Sequence, residues 1–223
     1  MRQSRAAVAA ICVLLAGCST TSNAASPVPQ PTLKPRPVVE RELDGLLLSP
    51  EEASAAMGTP MFVTESKTAM SDNSAVMEPR ECLAIDGAAE APVYADSKVR
   101  AERDQSFNNG DTFTHYLKQA VILFGYAKPA AEFFEASVQQ WPACHTYTHT
   151  QSGSQWTVGE ITNADNTLRT VATHQEAAAP GWACGRALSL RNNVIVDVNT
   201  CSADPGDSAV RIAEEIGAKV LRQ

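Results

Sequence analysis

Hydrophobic and polar positions divide the 223 residues into three zones. Behind the basic Arg2 and Arg5 stands an apolar run, "AAVAAICVLLAG". Spanning a bilayer takes about twenty apolar residues, so this shorter run predicts a secretory signal peptide over 1–17, not a transmembrane helix. From Ser19 to Arg41 large apolar side chains almost vanish, while Pro27, Pro29, Pro31, Pro35 and Pro37 recur. Such a stretch cannot bury a core and favours extended polyproline geometry, so 18–42 reads as a linker. From Leu43 onward helical and alternating periods return, predicting a folded domain over 43–223.

Within that domain "SPEEASAAMG" carries a complete set of helix signals: Ser49 as N-cap, Pro50 at the first position, Glu51 and Glu52 in the first turn, and Gly58 past the end. Residues 93–104 and 112–118 are mixed in pattern around the turn signal Asn108–Asp111 and read as strand, or as strand and helix. Gln119–Ala127 is almost continuously apolar and predicts a strand buried on both faces. After Pro129, residues Ala130, Phe133, Phe134, Val138 and Trp141 form one helical stripe that Pro142 ends. Further strands are predicted at 145–150, 155–161 and 167–174, the last two separated by "TNADN", and a closing helix from about Asp207 to Arg222.

The four residues Leu15, Ala16, Gly17 and Cys18 resemble the lipobox of bacterial lipoproteins. That resemblance implies cleavage before Cys18 and lipidation of its thiol with a diacylglyceryl group, whose two chains suffice for stable anchoring. A secreted protein cut nearby, with Cys18 a bystander, is the plainer alternative. Setting aside Arg2 and Arg5 leaves 16 Lys and Arg against 25 Asp and Glu, a net charge of −9. Nucleic acid is therefore not expected as a partner, because it requires a basic footprint.

Excluding Cys12 and Cys18 leaves Cys82, Cys144, Cys184 and Cys201, an even number in an exported chain, and hence three possible disulfide pairings. One pairing can be derived. If Asn192 and Asn193 form a two-residue hairpin loop, opposed residues have numbers summing to 385, as 184 and 201 do. Counting outward from Arg191 and Val194 puts these cysteines at a non-hydrogen-bonded site, where Cα atoms approach to about 4.5 Å, within disulfide reach. Cys82 with Cys144 follows by elimination. No CxxC spacing argues for a metal.

With these features in view, "FFEASVQQWPAC" (133–144) and "WACGRALSLRNNVIVDVNTC" (182–201) resemble the extracellular sensor domain of PknH-type mycobacterial receptor Ser/Thr kinases and of lipoproteins carrying that domain alone. The resemblance covers roughly 43–223. It implies an α+β fold, an antiparallel sheet flanked by helices and framing a cleft proposed to bind a ligand, with the first cysteine paired to the second and the third to the fourth. This chain shows neither the kinase nor the membrane-spanning helix of the receptor.

No GxSxG, HExxH, GxxxxGK[ST] or SxxK motif is present, so no catalytic residue and no cofactor is assigned. Strand spacing puts His145 and His149 on one face with Tyr147 between them. Exposed strand positions explain this better than a zinc site lacking a third ligand, and no metal is assigned. A serine triad built on His115 or His174 could be assembled from almost any sequence. Tyr147, His149 and Trp156 combine aromatic faces with polar tips and are candidate ligand contacts, though equally suited to packing a sheet.

The expected protein is a non-enzymatic envelope lipoprotein on the extracytoplasmic face of the cell membrane. Its lipid on Cys18 makes the membrane a partner, and its ligand is an unknown small molecule or envelope component. A sensor predicts a deep cleft with a few polar groups inside apolar walls. An interaction module predicts a broad exposed apolar patch, and a hydrolase a nucleophile and base within hydrogen-bond reach.

Overall fold

A computed structural model describes residues 35–223; the signal peptide, Cys18 and most of the linker lie outside the described residues. The strands are β1 (Phe62–Lys67), β2 (Met77–Glu78), β3 (Val99–Asn108), β4 (Tyr116–Phe124), β5 (Thr146–His149), β6 (Gln155–Val158), β7 (Thr162–Ala164), β8 (Thr167–His174), β9 (Ala183–Arg191) and β10 (Val194–Ser202). The helices are α1 (Pro50–Met57), α2 (Leu83–Asp86), α3 (Ala91–Tyr94), α4 (Ala127–Gln140) and α5 (Ser208–Leu221). All named strand pairs are antiparallel, in the order β1-β3-β4-β10-β9-β8-β6-β5-β2, with β7 beside β8.

Successive strand residues point to opposite faces, and the two faces of this sheet carry separate cores. On one face Leu117, Val121, Val196 and Val198 meet Ile212, Ile216 and Val220 of α5 and Ala53 of α1. On the other, Ile122, Phe124, Leu188 and Ile195 meet Leu83 and Ile85 of α2, Phe134 of α4, and Trp141. The central strands β4 and β10, covered on both sides, are therefore almost fully buried.

The capped helix forms as expected: Ser49 Oγ accepts from Glu52 N at 3.2 Å, Glu52 Oε2 accepts from Ser49 N at 2.8 Å, and Gly58 closes α1 at φ 70°. The apolar segment begins earlier than its pattern suggests, at Tyr116, and α4 begins at Ala127, with Pro129 harmless in its first turn. "TNADN", expected to be a connection only, contains β7, which folds onto β8 through Asp165 and Asn166, both at positive φ.

The β9–β10 hairpin has the derived register: Arg191 opposes Val194 and Cys184 opposes Cys201, whose Cα atoms stand 4.1 Å apart in a disulfide. Only Asn192 takes positive φ, at 52°. Asn193 is instead buried, its side chain accepting from Val38 N at 2.8 Å and donating to the carbonyls of Val38 (3.0 Å) and Phe124 (2.8 Å). The core thus extends to Val38, which is buried ahead of a 3₁₀ turn at Glu40–Gly45. The second disulfide joins Cys82 and Cys144, Cα atoms 5.1 Å apart, and ties the start of α2 to the start of β5.

Candidate functional site

Three residues of β3 that share one face, Glu102, Asp104 and Ser106, are all buried although all are polar. Their row continues across the sheet, Ser106 opposing Lys118, Lys118 opposing Asn199, and Asn199 opposing Arg186. A row of charged and amide groups therefore crosses a face that is otherwise an apolar core. Burying such groups is costly unless they are paired, so their partners define what the row does.

Arg186 and Asp197 form an ion pair at 2.7 Å, both almost completely buried. Nη1 also donates to the Val198 carbonyl at 2.6 Å within the sheet, while Nη2 reaches out of it to the carbonyls of Ala84 at 2.7 Å and Gly87 at 3.0 Å, and the group lies over the Trp141 ring at 5.4 Å. Asp197 Oδ2 accepts from Ala89 N at 2.9 Å and from the Tyr94 hydroxyl at 2.8 Å. Burial, then the Asp197 charge, pushes the Tyr94 phenol well above its ordinary pKa, so it stays a donor. This pair fixes the segment from α2 to α3 above the sheet, including Ala89 at φ 53°. A side chain on Gly87 would stand 2.8 Å from Glu90 Oε1, so Glu90 needs glycine beneath it.

Between this segment and β1–β3–β4 opens a cleft of about 350 Å³ lined almost wholly by polar groups. Lys67 and Lys118 enter from different strands and both donate to Ser71 Oγ, at 3.4 and 3.3 Å. Each has an acidic neighbour, Glu65 2.8 Å from Lys67 and Asp104 3.9 Å from Lys118. Opposite them, Glu90 accepts from Asn73 N at 2.9 Å and Asn73 Nδ2 at 2.6 Å. Burial raises the pKa of Glu90, and that of Asp104 likewise. Asp104 and Glu102 are 1% and 4% exposed, and no oxygen of either carboxylate has a hydrogen-bond partner among the described residues. Burial, then the Asp104 charge, pushes the Glu102 carboxyl up to about 7.

A second concavity, about 580 Å³, lies between α4 and the α2–α3 segment, floored by Leu83, Val93 and Phe133. Its charged residues, Arg80, Asp96, Lys98 and Glu132 among them, stand on an exposed rim where water already solvates them. The polar cleft differs in that two of its charged groups, Glu90 and Lys118, are buried and held by hydrogen bonds, the condition under which polar groups select a ligand.

Tyr147 and Trp156 are 2% and 5% exposed and stack with ring centroids 5.8 Å apart, within the core. The expectation that this stretch of strand is exposed therefore fails at Tyr147, which the second core claims. His149 is half-buried and lines a small cavity of about 240 Å³, its Nε2 2.7 Å from Asp86 Oδ1. That contact raises the His149 pKa, and burial, then Asp86, raises that of Tyr147. His145 is exposed and precedes β5; among the described residues no group of three His, Cys, Asp or Glu is arranged to hold a metal. Asp86 also lines the polar cleft, so His149 borders it indirectly.

The cleft residues Lys67, Ser71, Glu90, Lys118 and Asn199, and Asp104 beside Lys118, escaped the sequence reading. Their signal was nevertheless present, as polar residues interrupting strands otherwise read as buried: Lys118 in "YLKQAVILF", Asp197 and Asn199 in "VIVDVNT", and the alternation of Glu102, Asp104 and Ser106 in β3.

Comparison with known proteins agrees with this architecture. The family described as the PknH-like extracellular domain matches residues 38–219. Serine/threonine-protein kinase PknH of Mycobacterium tuberculosis is 32% identical over 201 residues, which are 87% of this chain and 32% of that protein. PknH of Mycobacterium bovis is likewise 32% identical over 201 residues, 87% of this chain and 33% of its own. The chain thus spans about a third of the length of these relatives. The crystal structure of the extracellular domain of PknH from Mycobacterium tuberculosis matches with a TM-score of 0.79 at 31% identity, covering 85% of this chain and 100% of that one. This protein belongs to the PknH-like extracellular domain family.

Proposed function

We propose that this protein is an extracytoplasmic lipoprotein, anchored in the cell membrane of a mycobacterial envelope by a lipid on Cys18, whose domain binds a ligand without chemically changing it. The observation that carries the binding reading is the cleft of about 350 Å³ lined by the buried Lys118 and Glu90. Proteins seldom retain buried charged groups without a use for them, and the cleft that Lys118 and Glu90 line offers one. The family supports a sensor role, since its kinase relatives carry the same domain extracellularly. Among the described residues no helix is long and apolar enough to cross a membrane, and the attachment proposed at Cys18 rests on the lipobox-like Leu15, Ala16, Gly17 and Cys18.

Two measurements test the halves separately. Cys18→Ala is expected to move the chain from the membrane to the soluble fraction and to stop processing before residue 18; persistent membrane association would contradict the anchor. Native mass spectrometry of the chain released from its own host is expected to show a bound species that Ser71→Ala weakens. A bare polypeptide mass in every preparation would contradict the binding role.

A further inference from the structure

The polar cleft does not present one sign of charge. Lys67 and Lys118 converge on Ser71 Oγ, at 3.4 and 3.3 Å, yet each is already balanced, by Glu65 at 2.8 Å and Asp104 at 3.9 Å. A phosphate or a free carboxylate seated between the lysines would face Glu65 and, across the cleft, Glu90, with Asp104 buried beside Lys118. A polyamine would in turn face two ammonium groups. Like charges brought close in a poorly hydrated site are unfavourable, so both classes are selected against.

The remaining hydrogen-bonding capacity is mixed. An ammonium has three donors: Lys67 uses two, on Ser71 and Glu65, leaving one, while Lys118 uses one, on Ser71, and stands 3.9 Å from Asp104, too far for a hydrogen bond, leaving two. The carboxylates of Glu90 and Asp86 keep lone pairs beyond those taken by Asn73 and His149. Asn199 presents an amide to the same space, and Ser106 a hydroxyl. Donors and acceptors thus alternate around the cleft within a few ångströms. A hydroxyl is the group that both donates and accepts at one atom, and a ring bearing several of them matches alternating donors and acceptors without bringing charge. The cleft also falls at the small end of the range for ligand sites, roughly 300–1,000 Å³, and so suits a short ligand.

From this we infer that the cleft is a saccharide site, taking a short neutral sugar whose hydroxyls bridge the Lys67–Ser71–Lys118 corner to the Glu90–Asn199 side. This rests on the cleft being the binding site proposed above.

The test is amide-resolved NMR of the full chain in detergent micelles, titrated separately with neutral oligosaccharides of arabinose, galactose, mannose and glucose, with inorganic phosphate, and with spermidine. The expected result is saturable shifts at residues 65–73, 86–90, 116–118 and 199 with at least one neutral oligosaccharide, little changed by salt because no net charge is exchanged. Ser71→Ala should weaken that sugar roughly tenfold, the usual effect of one lost hydrogen bond in a buried site. Shifts at the same residues with phosphate or spermidine and with no sugar would overturn the saccharide assignment while leaving the cleft as a binding site. Saturable shifts confined to residues 80–84 and 129–140 would overturn both, as would a titration in which no probe shifts the cleft.

Discussion

Asn193 and Glu102 show how single buried polar groups set local stability here. Asn193 holds the backbone of Val38 by two hydrogen bonds and Phe124 by a third, closing the chain's entry onto the β9–β10 turn. Asn193→Ala leaves a buried N–H without its partner, and a loss of about 2–3 kcal/mol is expected. Urea unfolding would measure that loss, and protease cleavage between residues 35 and 42 should accelerate. Glu102 acts oppositely. Its carboxyl is held at about 7, above the ordinary value near 4.3 of an unfolded chain. A raised carboxyl pKa means that stability is greatest below the unfolded value and falls as pH rises through the folded one. Glu102→Gln, which cannot ionise, should therefore be more stable than the parent at pH 8 by about 1–3 kcal/mol and equal to it at pH 4. Thermal melts across that range check the sign. A variant equally shifted at both pH values would show that charge is not the cause.

Among the elements, those read correctly from the chain are those whose determinants lie close together in it. Helix α1 carries its own cap, box and terminating glycine within ten residues, and the β9–β10 register follows from a two-residue loop and two cysteines. β7 was missed because two polar residues and an alanine beside a turn carry no apolar alternation, and pairing with β8 alone makes them a strand. Tyr147 and Trp156 looked like contacts because sequence does not reveal what a second sheet face packs against. The cleft could not be assembled from the sequence for the same reason: Lys67 and Ser71, Glu90, Lys118 and Asn199 come from four separate segments. The two disulfides act at this scale too. The Cys82–Cys144 bridge, with a separation of 62 residues, should contribute about 4 kcal/mol and Cys184–Cys201, with 17, about 3, on the chain-entropy argument. Paired Cys→Ser variants compared by denaturant midpoint should preserve that order. The first should also loosen α2, and with it the cleft wall, whereas the second leaves a hairpin still held by its backbone ladder.

For the whole molecule, a ten-stranded sheet with a core on each face supports a cleft where one face turns polar, and the Arg186–Asp197 pair fixes the segment that walls it. The family places this domain outside the cell, and the chain shares with its kinase relatives about a third of their length, which includes that domain. Binding is the property that links fold to function in this reading. It is tested most directly by hydrogen–deuterium exchange of the full chain with and without the small-molecule fraction of its host's envelope. Slowed exchange in peptides covering 65–73, 86–90 and 116–118, lost in Ser71→Ala, is the expected result. Unchanged exchange throughout, or protection confined to the α4 groove at 80–84 and 129–140, would contradict it.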